Sequence, residues 1–152
     1  MSAASNYLEN EILDHILGEG ARDFTSPANL YLALLSGTAS DVLAALEAGT
    51  NAATAGNWGY YEINNGSYAR TAIDFNAASG GSATNNGNVT FPTATANYDN
   101  TATSGATVTC IAVVDNSTGG NVLFYGQLDN AKEILNGDTF QVSDTNLQIS
   151  LA

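Results

Sequence analysis

The first hydrophobic pattern along the chain has the period of an amphipathic helix. Its apolar residues recur every three and four positions and share one helical face: Leu8, Ile12, Leu13, Ile16 and Leu17. Asn6 is a suitable N-cap with Glu9 three residues later, and Gly18 and Gly20 are suitable stops. We therefore predict a helix of about three turns. Its apolar face is expected to dock on its own domain or on a neighbour.

The polar side of this helix includes Tyr7, Asn10, Glu11 and Asp14, and His15 lies at its border, one turn after Glu11. A catalytic or zinc-binding role would require this single His to meet groups from distant strands. We therefore interpret His15 as a border residue that pairs with Glu11 or contacts a partner.

The next pattern is continuous rather than periodic. Pro27 precedes an unbroken apolar run from Leu30 to Leu35, which predicts a buried first strand over residues 27–35. Ser40 can then cap a helix from Asp41 to Ala48 that Gly49 ends. Residues 36–59 are interpreted as an insertion with one short helix.

From Tyr60 onward, short apolar segments alternate with turn residues. In the segment Tyr68 to Phe75, two faces alternate, and the face expected to pack against the core consists of Ala69, Thr71, Ile73 and Phe75. Further strands are predicted over these segments: 89–91, 106–114, 122–128, 139–142 and 147–151. The chain is thus predicted to be a single mainly β domain over residues 1–152, an antiparallel sandwich or jelly roll. We expect it to comprise an arm and helix (1–20), the first strand, the insertion and a β-sandwich (60–152).

Charge excludes whole classes of partner. The basic residues are Arg22, Arg70 and Lys132, against fifteen carboxylates, and the net charge is -12. Binding to nucleic acid or to an anionic membrane requires Lys and Arg, so neither is expected as a partner. No apolar run approaches the roughly 18 residues of a spanning helix. The first ten residues do not resemble a secretion signal.

The chain offers few groups for catalysis. Cys110 lies in an alternating apolar segment and is interpreted as a small buried hydrophobe with no disulfide partner. Most acids lie in turns, where Asp stabilises the backbone, although a carboxylate pair for glycoside hydrolysis stays possible. Segments 115–120 and 138–146 are the places to seek calcium, but neither matches a specific calcium loop. We expect no catalytic residue, metal or cofactor.

Several segments together resemble a family of small tailed-bacteriophage structural proteins, labelled tail-fibre or head-decoration proteins. The matching pieces, in order, are Ser5–Asn10 with Ile12–Leu17, Leu30–Leu34, Glu62-Ile63, Gly66–Arg70, Asn88–Pro92 with Ala94, Asp115 with Thr118–Asn121, and Gly137–Thr139. The departure is residues 36–59, where the family pattern has a shorter loop. The resemblance implies a β-rich virion component without a catalytic motif.

We therefore expect a non-enzymatic virion structural protein, first of all a cement or decoration protein on the outer surface of the capsid. Its expected partners are the major capsid protein and copies of itself, and its expected location before assembly is the host cytoplasm. The alternative is a tail-fibre or baseplate component that contacts the host receptor. A glycan hydrolase or lectin is the third hypothesis.

The expected contact surface is the N-terminal helix, with residues 1–5 as an arm. Its predicted contact residues, together with Arg70 from a later strand, are Tyr7, Leu8, Glu11, Ile12, His15 and Ile16. Arg70 has two interpretations: it pairs with a nearby acid such as Asp74 on the same strand face, or it binds an acidic patch on the shell.

Overall fold

The computed structural model describes residues 2–18, 24–101 and 107–151. The described elements, in chain order, are β1 (Ser2–Ala4), α1 (Asn6–Leu17), β2 (Leu30–Ser36), α2 (Ala39–Ala48), α3 (Trp58–Tyr61), β3 (Thr71–Ile73), β4 (Ser82–Thr84), β5 (Val89–Thr90), β6 (Thr107–Val114), β7 (Val122–Glu133), β8 (Gln141–Val142) and β9 (Gln148–Ser150). Gly20 and Arg22, to which the sequence assigned a helix stop and a positive charge, lie outside these ranges.

Five strands form one sheet in the order β1-β7-β6-β2-β3, and all its pairings are antiparallel. Two small ribbons, β4-β9 and β5-β8, contribute to a second layer. The prediction of a mainly β fold is confirmed, and the layering is sandwich-like. The jelly-roll connectivity and the division into four segments stay predictions.

The central strands are buried on both faces of the sheet, which explains the continuous apolar run. Leu32 and Leu34 of β2 face a first core that includes Phe91 and Ile149 from the ribbon side. Their neighbours along the strand point to the opposite face, because side chains alternate in a strand. Ala33 and Leu35 accordingly join a second core that lies beneath α2.

Cys110 lies in this second core and is fully buried. Burial raises the pKa of its thiol, which disfavours the thiolate that nucleophilic chemistry would need. The interpretation of Cys110 as a buried small hydrophobe is confirmed.

The N-terminal segment differs from the prediction in two ways. The strand predicted over residues 27–35 corresponds to β2, but it is second in chain order, because β1 precedes α1 and pairs with Phe124 to Gly126 of β7. Residues 2–4 are therefore part of the sheet, not a free arm. The N-cap of α1 is Ser5 rather than Asn6, since the Ser5 Oγ accepts a hydrogen bond from Leu8 N at 3.3 Å.

The other helix boundaries are close to those predicted. Gly18 ends α1 with φ of 80°, the left-handed conformation that glycine adopts without a steric penalty. Helix α2 begins at Ala39 after Thr38, not after Ser40 as predicted, and the Thr38 side chain makes no capping hydrogen bond. Gly49 closes α2 as expected.

The segment from Tyr68 to Phe75 is only partly a strand. Pairing with β2 covers Thr71 to Ile73, and Ile73 is buried as the alternation requires. Before Thr71 the expected alternation is wrong: Ala69 is exposed, whereas the Tyr68 and Arg70 side chains turn inward. Ser67, with φ of 67°, interrupts the extended backbone just before them.

Candidate interaction surfaces

Helix α1 is anchored at its beginning and exposed at its end. Leu8 keeps only 4% of its surface exposed, and Ser5 Oγ, fully buried, donates to the Val122 carbonyl of β7. Tyr7, Glu11 and Ile12 are half-buried. The predicted apolar face therefore docks on its own domain only through the first turns of the helix.

The last turns leave three apolar side chains in water. Leu13, Ile16 and Leu17 are 53%, 68% and 68% exposed, and they share one helix face because they are three and four residues apart. We call these three residues the α1 tip. Large apolar side chains grouped on an exposed surface are typical of a contact site. Of the predicted contact residues, His15 and Ile16 are exposed here, whereas Leu8 is buried.

Arg70 lies in a different environment, inside the molecule. Its side chain is 5% exposed, and Nε and Nη2 donate to the two carboxylate oxygens of Glu62 at 2.6 and 2.7 Å. Nη1 donates to the carbonyls of Asn116 and Gly119 at 2.8 and 2.7 Å. The expected pairing with a nearby acid is confirmed, but the partner is Glu62 and the choice of Asp74 is wrong.

Two aromatic residues complete this arrangement. The guanidinium carbon lies 4.9 Å from the ring centre of Trp58, which is fully buried. The Tyr68 hydroxyl donates to Glu62 Oε1 at 2.9 Å and accepts from Leu34 N at 3.1 Å. We call Trp58, Glu62, Tyr68 and Arg70 the Arg70 cluster.

Burial and the charge of Glu62 both shift the pKa values of Arg70 and Tyr68. Desolvation by itself lowers the pKa of Arg70, but the hydrogen bonds and the charge of Glu62 outweigh it, so the pKa is raised. The pKa of Tyr68 is raised well above its ordinary value, first by burial and then by the charge of Glu62. Arg70 is therefore charged and Tyr68 neutral at physiological pH.

The Arg70 cluster holds the turn between β6 and β7 in place. Within that turn, Asp115 accepts hydrogen bonds from the backbone and side-chain nitrogens of Asn121 at 2.7 and 2.9 Å. Gly120 has φ of 76°, and a Cβ there would lie 2.3 Å from Asp115 Oδ1. The geometry assigns Arg70 a structural role, and its predicted contact with a partner stays a prediction.

An open cleft of about 740 Å³ lies beside the cluster, between the insertion, the approach to β3 and the β6–β7 turn. Small and amide side chains contribute to its wall, among them Asn51, Asn64, Ser117 and Thr118. The aromatic residue in the described lining is Tyr68, which is partly buried and whose ring packs with Phe91 and Tyr98. Trp58 is fully buried beneath the guanidinium, so the described part of the cleft presents no exposed aromatic platform of the kind that stacks on sugar rings.

Two further acids accept backbone hydrogen bonds, Asp138 within its own turn, as its sequence context indicated, and Asp144 from a distant loop. Asp138 Oδ2 accepts from Leu135 N at 2.9 Å, and Asp144 Oδ1 accepts from Gly87 N at 2.8 Å. Among residues 2–18, 24–101 and 107–151, no three His, Cys, Asp or Glu side chains converge as metal ligands. No helix in those ranges is long and apolar enough to cross a membrane.

Sequence reasoning missed two features of these surfaces. Leu13 and Leu17 belong to the predicted apolar stripe but were not predicted as contact residues. The end of a helix is where the rest of the domain can stop covering its apolar face. Trp58 and Glu62 were not linked to Arg70, because residues 8 and 12 positions apart on an irregular backbone leave no periodic signal.

Fold and surfaces together define a mainly β domain with a self-contained buried ion pair and an exposed apolar helix end. A protein-family model described as "Podophage GP4 fiber I protein gp80" matches residues 3–150. The chain belongs to this family of phage structural proteins, and the resemblance seen in the sequence is confirmed. The protein is therefore a structural component of a phage particle. A search of curated proteins found no significant match.

Proposed function

We propose that this protein is a non-enzymatic subunit of a phage tail fibre. The observation that carries the proposal is the family match over residues 3–150, whose description names a fibre protein. The sequence by itself favoured capsid decoration and kept the fibre as its alternative. The family description supports the fibre, which is why we propose it first.

The exposed α1 tip supports a role in assembly. A particle subunit must hold a neighbour through a surface that is already formed, and apolar side chains at the centre of such a contact contribute most of its affinity. We propose the α1 tip, with His15 and Ile16 from the predicted set, as the principal contact surface. Tyr7, Glu11 and Ile12 are half-buried and would contribute at its margin.

Low positive charge suits a particle component that must avoid packaged nucleic acid. The described cations are Arg70, which is paired internally, and Lys132, which is exposed. With a net charge of -12, the surface repels polyanions at long range. A low positive charge fits both a fibre and a decoration protein. It therefore supports a role as a particle component and does not distinguish the tail from the capsid.

Location in the particle is tested by counting and imaging. Purified virions would be analysed by quantitative mass spectrometry for the ratio of this chain to the major capsid protein, and the chain would be located by electron cryomicroscopy. A fibre subunit is expected at a small fraction of the capsid protein, with density at the tail. A near-stoichiometric ratio with density on the outer capsid surface would replace the fibre by the decoration role.

The proposal that the protein is not an enzyme needs a separate assay. The purified chain would be incubated with host surface polysaccharide, and chain-length and reducing-end measurements would follow the polymer. We expect no turnover, because the acids whose contacts are described above are engaged in turns or in the Arg70 pair. Sustained cleavage would overturn this part while leaving the particle location intact.

A further inference from the structure

The N-terminal segment, residues 2–18, lies on the domain without taking part in its cores. Among the described residues, every side chain assigned to the two cores comes from position 30 onward. Strand β1 is the outermost strand of the five-stranded sheet, so β7, β6, β2 and β3 are paired with one another without it. We call residues 2–18 the N-terminal strap. The two cores therefore take none of their assigned members from the strap.

The attachment of the strap is small and is concentrated near its beginning. Within residues 3–18, the buried side chains are Ser5 and Leu8. Strand β1 pairs with three residues of β7. Tyr7 adds a lateral contact, since its Cβ lies 3.7 Å from the position that a Cβ on Gly49 would take. Few buried apolar side chains and an exposed helix end are typical of a segment that opens at a lower free energy than the core.

Ser5 joins the strand of the strap to its helix and holds both to the sheet. Its N–H donates to the Leu123 carbonyl at 3.0 Å, and its Oγ donates to the Val122 carbonyl. Its carbonyl accepts from Glu9 N at 3.0 Å, and the same Oγ accepts from Leu8 N at 3.3 Å. The first two bonds attach the strap to β7, and the other two begin α1. Neither half of the strap can therefore leave β7 without disturbing the other half.

We infer that the N-terminal strap detaches from β7 as a single unit while both cores stay folded, and that Ser5 is its latch. A helix of 12 residues is marginally stable in water by itself, so α1 unfolds once it leaves the sheet. The amide hydrogens of β1 and α1 then exchange with solvent in the same opening event. The amides of the central strands require a larger opening, because the two cores hold those strands on both faces.

Detachment regulates the contact surface proposed above, and this consequence rests on the proposed function. In the docked strap, the large apolar side chains that are exposed within residues 2–18 are those of the α1 tip. In the detached strap, Leu8 and Ile12 are released as well, so the whole apolar stripe of the helix becomes available. The apparent affinity of a partner for the detached form is reduced by the fraction of chains that are open. The latch therefore sets how readily assembly can use the whole stripe.

Native-state amide hydrogen exchange of the full chain, followed by NMR at low concentrations of denaturant, tests the inference. The probes are the amides of Ser5 on the sheet side and of Glu9 and Ile12 on the helix side, compared with the amides of β2 and β6. We expect the strap amides to share one protection factor, at least about tenfold below that of the central strands. Their exchange should depend only weakly on denaturant, because little surface is exposed when the strap opens.

Ser5→Ala tests the latch, because it removes the hydroxyl and leaves the backbone bonds in place. Exchange in β1 and α1 is expected to become at least about tenfold faster at both sets of probes, since a helix cap and a bond to a buried carbonyl are lost together. Ile16→Ala is the matched control on the same helix, at a side chain that is exposed. It is expected to change the exchange of the strap by less than about threefold.

A variant in a core shows whether the cores stay folded in the open state. Ile73→Val alters a buried side chain of the first core, on β3 at the opposite edge of the sheet from β1. It is expected to make exchange in the central strands about two- to tenfold faster. The exchange of the strap should stay unchanged, because the core is still folded when the strap opens.

Three outcomes would overturn the inference: strap amides that exchange as slowly as those of β2 and β6, sheet and helix probes that respond differently to Ser5→Ala, or strap rates that rise with Ile73→Val. Leu8→Ala is the second variant should Ser5→Ala unfold, and it is expected to speed exchange at both sets of probes alike. These measurements use the isolated chain. They can therefore fail while the fibre location and the contact through the α1 tip are upheld in virions, and the reverse can also occur.

Discussion

The Arg70 cluster and the α1 tip each place side chains in an environment that is unusual for their type. Arginine is ordinarily exposed and isoleucine and leucine are ordinarily buried, but here the arginine is buried and the isoleucine and leucines are exposed. Arg70 is a charged side chain with 5% of its surface exposed, whereas Ile16 and Leu17 are apolar and 68% exposed. Every assigned hydrogen bond of the guanidinium ends on an acceptor of the same chain. The charged residue consolidates the fold, and the apolar residues are available to a neighbour.

This difference shows that residue type is a poor guide to role unless its partners are known. An isolated arginine in an acidic chain suggests a functional contact, yet Glu62 and the β6–β7 turn already use its donors. A helix stripe of Leu and Ile suggests core packing, yet the domain covers only its first turns. In both regions the role follows from which partners lie within reach.

The largest expected effect comes from breaking the buried ion pair. Arg70→Met leaves the Glu62 carboxylate partly buried with the Tyr68 hydroxyl as its remaining donor among the described residues, and it leaves two turn carbonyls without the guanidinium. We expect the free energy of unfolding to fall by about 3 kcal/mol, at the low end for a broken buried pair because Glu62 stays 15% exposed. Urea denaturation followed by Trp58 fluorescence measures this loss.

Lys132→Met is the matched control, because Lys132 is an exposed cation. It is expected to change stability by less than about 0.5 kcal/mol. Arg70→Lys should lie between the two, since an ammonium group cannot satisfy the carboxylate and both carbonyls in one geometry. Equal losses for Arg70→Met and Lys132→Met would contradict the structural role of the cluster.

The next largest effect compares the two ends of α1. Leu8→Ala removes a side chain that is 4% exposed and is expected to cost about 2–3 kcal/mol through lost burial and a residual cavity. Ile16→Ala removes one that is 68% exposed and should cost no more than about 0.5 kcal/mol. Thermal and urea unfolding of both variants would measure the difference. Similar losses at the two positions would mean that the tip is covered by its own domain.

A smaller effect, dependent on pH, is expected at Tyr68. Tyr68→Phe removes hydrogen bonds to Glu62 and Leu34 and should cost about 1 kcal/mol at neutral pH. The pKa of Tyr68 is raised in the fold, so its contribution is complete below the unfolded-chain value of about 10. That contribution is lost as the pH rises through the folded pKa.

Unfolding titrations from neutral to alkaline pH test the sign of this effect. Tyr98 and Tyr125 also have raised pKa values, so the variant should still lose stability above pH of about 10, but less steeply than the parent. If the free energy of unfolding of Tyr68→Phe fell as steeply above a pH of about 10 as that of the parent, Tyr68 would not contribute to the alkaline loss of stability.

The smallest effect on stability is expected at the tip. Ile16→Gln/Leu17→Gln places good helix formers at exposed positions and should shift the free energy of unfolding by less than about 0.5 kcal/mol. Its effect should instead appear in assembly, as reduced incorporation into particles. Normal incorporation would assign assembly to another surface.

Much of the fold was predictable because burial leaves periodic traces in sequence. The unbroken apolar run of β2 predicts a strand that is buried on both faces. The two cores bury it, one on each side of the sheet. Helix α1 ends at Gly18 as predicted. The three-residue β1 had no comparable signal, because Ser2 to Ala4 are small residues whose strand conformation depends on pairing with β7.

The candidate surfaces were predictable only in part. The stripe of α1 was visible, but its division into a buried start and an exposed end depends on how far the domain reaches beneath it. The partner of Arg70 depended on a bend at Ser67 that turns Tyr68 and Arg70 inward toward Glu62. Sequence spacing favoured Asp74 because it assumed a regular strand there.

The amino-acid sequence by itself determined the mainly β class, the strongly acidic and cation-poor surface and the phage structural family. The first two follow from composition and periodicity, and the family follows from the resemblance of its segments. None of these needs knowledge of long-range contacts. The tertiary structure alone decided that the Arg70 guanidinium bonds to groups of its own chain and that the α1 tip is exposed to solvent. Both outcomes depend on residues distant in sequence, and only folding determines whether such residues lie close enough to pair or to cover one another.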